Sequence, residues 1–371
     1  MIMNYSSTVR FTENNPVGNW HDIVAENNTY SGKKHSLIFI SLIILILSFM
    51  ILDIFFGSVS IKASDVIKTL FTNTGSNLET IVLKFRLPKA ITALVVGIAL
   101  SLSGLQMQTV FRNPMAGPYV LGISSGASLG VAFIILGSSL KISPDNLSGI
   151  GNWILIAASW AGAGMVMLII MFISSKVKDI MTILILGIML SSGISAIVTI
   201  MQYFSNETML KAYVIWTMGS LGNLTTSQLN VLLICVSFGM ILSLASVKML
   251  NALLIGENYA SSIGLNIRFA RVVIFACTSI LAGSVTAFCG PIGFIGIAVP
   301  HIVRILFKTS DHKILIPGTI LVGGAVMLAS DIISQLPGYE SVLPVNAVTS
   351  LIGIPVVIWV ILHKRKYSEM F

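Results

Sequence analysis

Ten apolar stretches, each close to the ~20 residues that a helix needs to cross a bilayer, constrain this chain more than any other feature. They fall at about residues 36–56, 88–108, 118–139, 152–173, 180–204, 229–247, 269–289, 291–307, 314–336 and 343–363. In hydrocarbon no water is present to bond the backbone, so such runs are expected to form helices that satisfy their own hydrogen bonds. The expected fold class is an all-α membrane protein, a ten-helix transmembrane bundle. Only 10% of the residues are charged, against about 25% in an ordinary soluble protein. The seventh and eighth runs are nearly continuous, and Gly290-Pro291, with Gly293 and Gly296 close behind, marks the natural turn between them.

Ten spans put both termini on one side, and the distribution of Lys and Arg says which. One face collects 15 of these residues and the other 7, so both termini are expected in the cytosol. Residues 1–35 are polar and lack the apolar core and small-residue cleavage site of an ordinary signal peptide. They read as a polar cytosolic tail ahead of a membrane domain at 36–371. The net charge of +8 does not suggest nucleic acid, because the basic residues are strung between apolar runs rather than gathered on a soluble face. Cys235, Cys277 and Cys289 all lie inside apolar runs, where a thiol behaves as a small buried hydrophobe.

Several chemistries are excluded. The chain has no Gly-rich phosphate cradle ending in Gly-Lys-Ser or Gly-Lys-Thr, no HExxH, no CxxC and no nucleophile elbow. An enzyme is not expected, nor a cofactor held by this chain. Charged groups inside spans are few: Asp53, Asp331, and Arg304 with His301. All are expected near an interface, where snorkelling or water serves them. With no charge expected at mid-membrane, the energy for any transport has to come from outside the chain. His21, His35, His301, His312 and His363 all fall on or near the cytosolic side, so no metal site is expected along the interior. A path lined by apolar and small residues suits a bulky, partly apolar solute or an intact metal chelate. Met165, Met167, Met171, Met181 and Met189 read as packing residues rather than soft ligands.

Four connections carry pattern. Arg112 to Gly130 reads RNPMAGPYVLGISSGASLG and sets Gly122, Gly126 and Gly130 four residues apart. Such a stripe lets helix backbones approach closely in a membrane, while the Asn-Pro and Gly-Pro corner places a rigid polar turn where a bundle could narrow or open. Residues 248–271, on the cytosolic face, are too polar to span. Leu253, Leu254, Ala260, Ile263 and Leu265, broken by Gly256 and Gly264, predict two brief helices, in either a solvated loop or a surface for a cytosolic partner. On the other face, residues 57–87 and 205–228 have room for interfacial helices, with Tyr213 and Trp216 as headgroup anchors.

Taken together, Arg86-Leu-Pro-Lys89, RNPMAGPYVLGISSGASLG, LLIGENYASSIGLN, GPIGFIGIAVPHIVRIL, DIISQ and LIGIPVVIW, in that order, resemble the FecCD-type permeases of ATP-binding-cassette importers for ferric siderophores, haem and vitamin B12. The resemblance covers the chain from about residue 36 onward. It implies a type II importer fold and a homodimer in the bilayer, with a path along its two-fold axis. Two cytosolic ATPase subunits would carry the ATP and Mg, and an extracytoplasmic binding protein would deliver an iron chelate or cobalamin. By resemblance, Leu254, Gly256, Glu257, Ala260 and Gly264 match the ATPase-coupling segment. Asn113 and Met115 match one cytosolic gate, and Ile180 and Met181 the other, where relatives can carry small hydroxyl residues. Arg86, Lys89 and Gln335 match positions that receive the binding protein; Lys89 stands where the family has Arg, keeping the charge and losing the bidentate fork.

Overall fold

The structure, a computed structural model, describes residues 20–57, 61–71, 77–137, 150–177, 179–335 and 342–362. The chain divides into two compact units, Met1–Ser41 and Leu42–Phe371. Of the expected polar tail, residues 1–19 lie outside the described residues, and from Trp20 onward the chain is helical.

In chain order the helices begin with α1 (Trp20–Phe55), α2 (Ala63–Phe71) and α3 (Asn77–Glu79). A π-helical turn, Thr80–Arg86, leads into α4 (Leu87–Val110), and a 3-10 turn, Pro118–Leu121, into α5 (Ile123–Ile135). Then come α6 (Ile150–Lys176), α7 (Ile180–Tyr203), α8 (Glu207–Thr217) and α9 (Thr226–Ala245). Two short helices follow, α10 (Val247–Ile255) and α11 (Glu257–Ser262). The chain closes with α12 (Ile267–Cys289), α13 (Ile295–Phe307), α14 (His312–Ser334) and α15 (Val345–Leu362).

Seven described helical stretches are long and apolar enough to cross a membrane, and three shorter apolar helices, α5, α13 and α15, complete ten. The second span starts earlier than its apolar run suggests: helix is continuous from Asn77, because the π turn carries it through Lys84, Phe85 and Arg86. The break expected at Gly290-Pro291 is where α12 ends, with Gly290 as its C-cap at φ 76°. At 13 residues, α5 and α13 are only about 20 Å long. The irregular backbone ahead of each is tolerated at membrane depth because it is buried in protein; Pro118, Leu121, Ile292 and Ile295 are all buried.

α4 is the centre, packed against α9, α12, α13 and α14, while α5 packs between α6 and α7. At the α5–α6 contact a Cβ on Gly126 would run into the Gly162 carbonyl, and one on Gly130 into the Ala158 carbonyl. The backbones therefore meet directly, as a small-residue interface requires. Gly122 has a different reason to be glycine: it caps the 3-10 turn at φ 81°, in the left-handed region.

Two expectations need correction. Tyr213 is buried and packs with Trp216 against Val131, Ala132 and Val198, so it is a packing residue rather than a headgroup anchor. The charged groups do not snorkel either. Asp53, Asp331, His301 and Arg304 are all buried and take protein partners, because the surrounding helices supply amides, carbonyls and a lysine that replace water.

Candidate functional sites at the two ends of the bundle

One end is built on the turn after α4. Arg112 sits at φ 46°, and Asn113 Oδ1 accepts the Met115 backbone N–H at 2.9 Å, an Asx turn that fixes the corner before Pro114. His301 Nε2 lies 2.8 Å from the Pro114 carbonyl; the carbonyl can only accept, so Nε2 carries the proton. Arg304 Nη1 donates to Gln108 Oε1 at 2.5 Å, and Gln108 Nε2 donates to the Ile297 carbonyl at 3.1 Å. Two α13 side chains thus pin the end of α4 and its turn. Met115 remains exposed.

The start of α7 is capped by Asp179, which accepts from the Met181 N–H at 3.3 Å and from the Thr182 N–H at 2.9 Å. The Thr182 hydroxyl donates to the same carboxylate at 2.6 Å. The Thr182 hydroxyl first, then these backbone N–H groups, hold the Asp179 carboxyl below its ordinary value. Ile180 and the exposed Met181 follow directly.

Residues 248–271 do form two brief helices, α10 and α11, with Gly256 between them. Gly256 has φ 124° and ψ 152°, a conformation essentially closed to L side chains. A Cβ there would also meet the Arg112 guanidinium at 3.4 Å, so the turn lies against the corner after α4. Leu253 and Ala260 are buried and Leu254 half-buried, while Ile255, Tyr259, Ile263 and Gly264 are exposed. Of the apolar residues that predict these helices, Leu253 is buried while Ile263 faces outward, because α11 ends at Ser262 and the chain turns there.

Glu257 makes a bidentate pair with Arg271 of α12, at 2.9 Å from Nε and 2.5 Å from Nη2. Arg271 Nη1 also donates to the Val177 carbonyl at 3.1 Å. On α10, Asn251 Nδ2 donates to Asp311 Oδ1 at 2.7 Å, and Asn251 Oδ1 accepts the His312 backbone N–H at 2.9 Å. That oxygen is 2.7 Å from His312 Nδ1, so Nδ1 is the donor. His312 Nε2 lies 2.9 Å from the Thr109 hydroxyl, whose single proton is shared between that nitrogen and the Leu105 carbonyl at 2.8 Å. Sequence reasoning missed Thr109, Asn251 and His312 as a set. Their only signal was polar side chains at the ends of three apolar runs.

At the opposite end, Arg86, Lys89 and Gln335 do come together, but they are engaged internally. Arg86 is buried and donates through Nη1 to the Ile54 and Phe55 carbonyls, both at 2.9 Å. These are orphan acceptors in the last turn of α1. Lys89 Nζ pairs with Asp331 Oδ1 at 3.0 Å. Gln335 Nε2 bridges Asp53 Oδ1 at 2.7 Å and Asp331 Oδ2 at 3.1 Å. Arg86, Lys89, Asp331 and Gln335 line a cavity of about 940 Å³ whose apolar wall includes Trp216 and Phe288.

A ten-helix bundle with polar corners at one end, a broken surface helix beside them and a large cavity at the other end is the build of a membrane permease. The chain matches the FecCD transport family over residues 43–363, and it belongs to that family of ATP-binding-cassette importer permeases. It is 35% identical, over 78% of its length and 85% of the relative's, to the vitamin B12 import system permease BtuC of Escherichia coli O9:H4. It is likewise 35% identical to the hemin transport permease HmuU of Yersinia pestis, over 80% of this chain and 87% of that one. A solved metal-chelate type ABC transporter in an inward-facing conformation superposes with a TM-score of 0.77 at 26% identity, covering 88% of this chain and 99% of that chain.

Proposed function

We propose that the chain is the translocating subunit of an ATP-driven importer that carries an iron chelate, a ferric siderophore or haem, across the cytoplasmic membrane. It acts as a homodimer with both termini in the cytosol. Two ATPase subunits seat on α10 and α11 and supply ATP and Mg, and an extracytoplasmic binding protein docks at the Arg86 end; the chain itself catalyses nothing. The observation that carries this reading is the α10–α11 surface, where Ile255, Tyr259 and Ile263 are exposed beside a polar turn. Exposed apolar side chains on a short, broken helix outside the spans call for a protein partner.

The two constrictions are formed by Asn113 and Met115 and by Ile180 and Met181. They open in turn as the ATPases pull on the coupling segment, residues 248–271. The permease has to bind its partners differently in its two states rather than hold cargo tightly. Arg86, Lys89 and Gln335 line the 940 Å³ cavity at the docking end, where Lys89 is paired with Asp331.

Cobalamin is the second reading, favoured by the likeness to BtuC, which equals that to HmuU in identity. Uptake into proteoliposomes containing the chain, its ATPase and its binding protein separates the two. Labelled haem, a ferric siderophore and cobalamin are compared with and without ATP. ATP-dependent accumulation of an iron chelate is expected; accumulation of cobalamin alone selects the second reading. Uptake driven by an ion gradient without the ATPase would overturn both.

A further inference from the structure

α10 and α11 are two distinct helices, because Gly256 at φ 124° breaks the helix between them. Each piece has its own polar attachment. Through Glu257, α11 holds Arg271, and Arg271 holds the Val177 carbonyl, two residues before the Asp179 cap and the Ile180-Met181 start of α7. Through Asn251, α10 holds His312, and His312 bonds Thr109, four residues before Asn113 at the end of α4. Arg271 and His312 are buried, where a hydrogen-bonded polar group is held firmly because the alternative is an unsatisfied one.

We propose that Glu257–Arg271–Val177 and Asn251–His312–Thr109 are two independent relays. The first transmits displacement of α11 to the start of α7, and the second transmits displacement of α10 to the corner after α4. The inference rests on the permease reading and adds to it that each constriction is driven by its own half of the coupling segment. Gly256 lets the halves move separately, so the two constrictions need not open together. Neither relay touches cargo or nucleotide; these are positioning residues.

The test uses the complete importer in proteoliposomes and reads cargo transported per ATP hydrolysed, a ratio that mere loss of folded protein does not move. Glu257→Ala is expected to lower that ratio by about 5- to 100-fold, the usual range of coupling between sites, with ATP hydrolysis retained. Arg271→Ala should do the same, and Glu257→Ala/Arg271→Ala should be no worse than either alone, since all three break one relay. Asn251→Ala should lower the ratio separately, and Glu257→Ala/Asn251→Ala should show the product of the two effects. Should Arg271→Ala fail to fold, Arg271→Lys, which keeps charge and loses the fork, is expected to give an intermediate drop. An unchanged ratio in assembled Glu257→Ala and Asn251→Ala complexes overturns the proposal. So does loss of ATPase binding, which would make Glu257 a docking residue. A wild-type complex with no ATP-dependent uptake of any cargo would instead overturn the permease reading itself, and the relays with it.

Discussion

α4 and α7 are both 24-residue apolar helices, yet they occupy opposite environments. In α4's most apolar window 83% is buried, and in α7's 22%. The more buried helix holds its polar side chains inside: Thr92, Ser101, Ser103, Gln106, Gln108 and Thr109 are all buried on α4, whereas α7 exposes Ile185, Ile188, Met189, Ile197 and Ile200, together with Ser192 and Thr199, whose hydroxyls bond carbonyls of their own helix. In water the order would be reversed. Inside a bilayer an outward face is mostly apolar and can carry only polar groups that bond their own helix, because lipid offers no hydrogen bond, while the interior can hold amides and hydroxyls that bond across helices. Gln106 shows how: its Nε2 donates to Ser243 Oγ at 2.9 Å and lies 3.2 Å from Cys277 Sγ, and its Oε1 accepts from Thr278 at 3.1 Å. That one side chain ties α4 to α9 and α12.

The contrast can be broken most severely at Gly104, whose missing Cβ leaves room for the Gly296 carbonyl. Gly104→Leu should abolish the folded, monodisperse protein in detergent, since even mild overpacking costs about 1–3 kcal/mol and here backbone meets backbone. Met189→Leu on α7 should leave the melting temperature unchanged. Equal effects of the two would show that α4 is not the core. Next is Asp331→Ala, which strands Lys89 and one bond of Gln335. A loss of about 3 kcal/mol is expected in thermal unfolding, and a neutral result would mean that the Lys89 pair is surface-like. Gln106→Leu should cost about 1 kcal/mol, the scale of a hydrogen bond between membrane helices, measured by the same melt; no change would indicate that Ser243 and Thr278 find other partners.

The smallest effect lies at the start of α7. Asp179 has its carboxyl lowered by the Thr182 hydroxyl and the Met181 and Thr182 N–H groups. Its contribution is therefore present above the ordinary carboxylate value of about 3.9 and lost as pH falls through the lower folded value. Protection of the Met181 and Thr182 amides, taken relative to their intrinsic exchange rate at each pH, should fall in acid, and Asp179→Asn, which still caps, should remove that dependence. A protection factor that does not vary with pH in the wild type would mean that the cap contributes nothing.

Much of this was readable in advance. Ten apolar runs predicted ten helices, and Gly290-Pro291 predicted the break after α12, because hydrocarbon imposes length and glycine with proline imposes a turn. The Gly126 and Gly130 spacing pointed to close helix contact, and Gly256 to the split between α10 and α11. The polar residues were harder to place. Arg86, Lys89 and Gln335 match docking positions by resemblance, and Asp53 and Asp331 read as charges served by snorkelling or water; the structure bonds Lys89, Gln335, Asp53 and Asp331 together and sets Arg86 on the last carbonyls of α1. Sequence distance hides such partners: Gln335 and Asp53 are 282 residues apart and bond directly.

The sequence by itself determined the class of molecule and the approximate placing of its apolar helices, since these depend on local runs and on the backbone's need for hydrogen bonds. Only the tertiary structure decided which spans form the core, which charges are paired and how α10 and α11 reach α4 and α7. Those outcomes depend on which side chains distant segments bring together, and in a membrane, where burial of apolar surface does not distinguish inside from outside, helix packing and polar pairing make that choice.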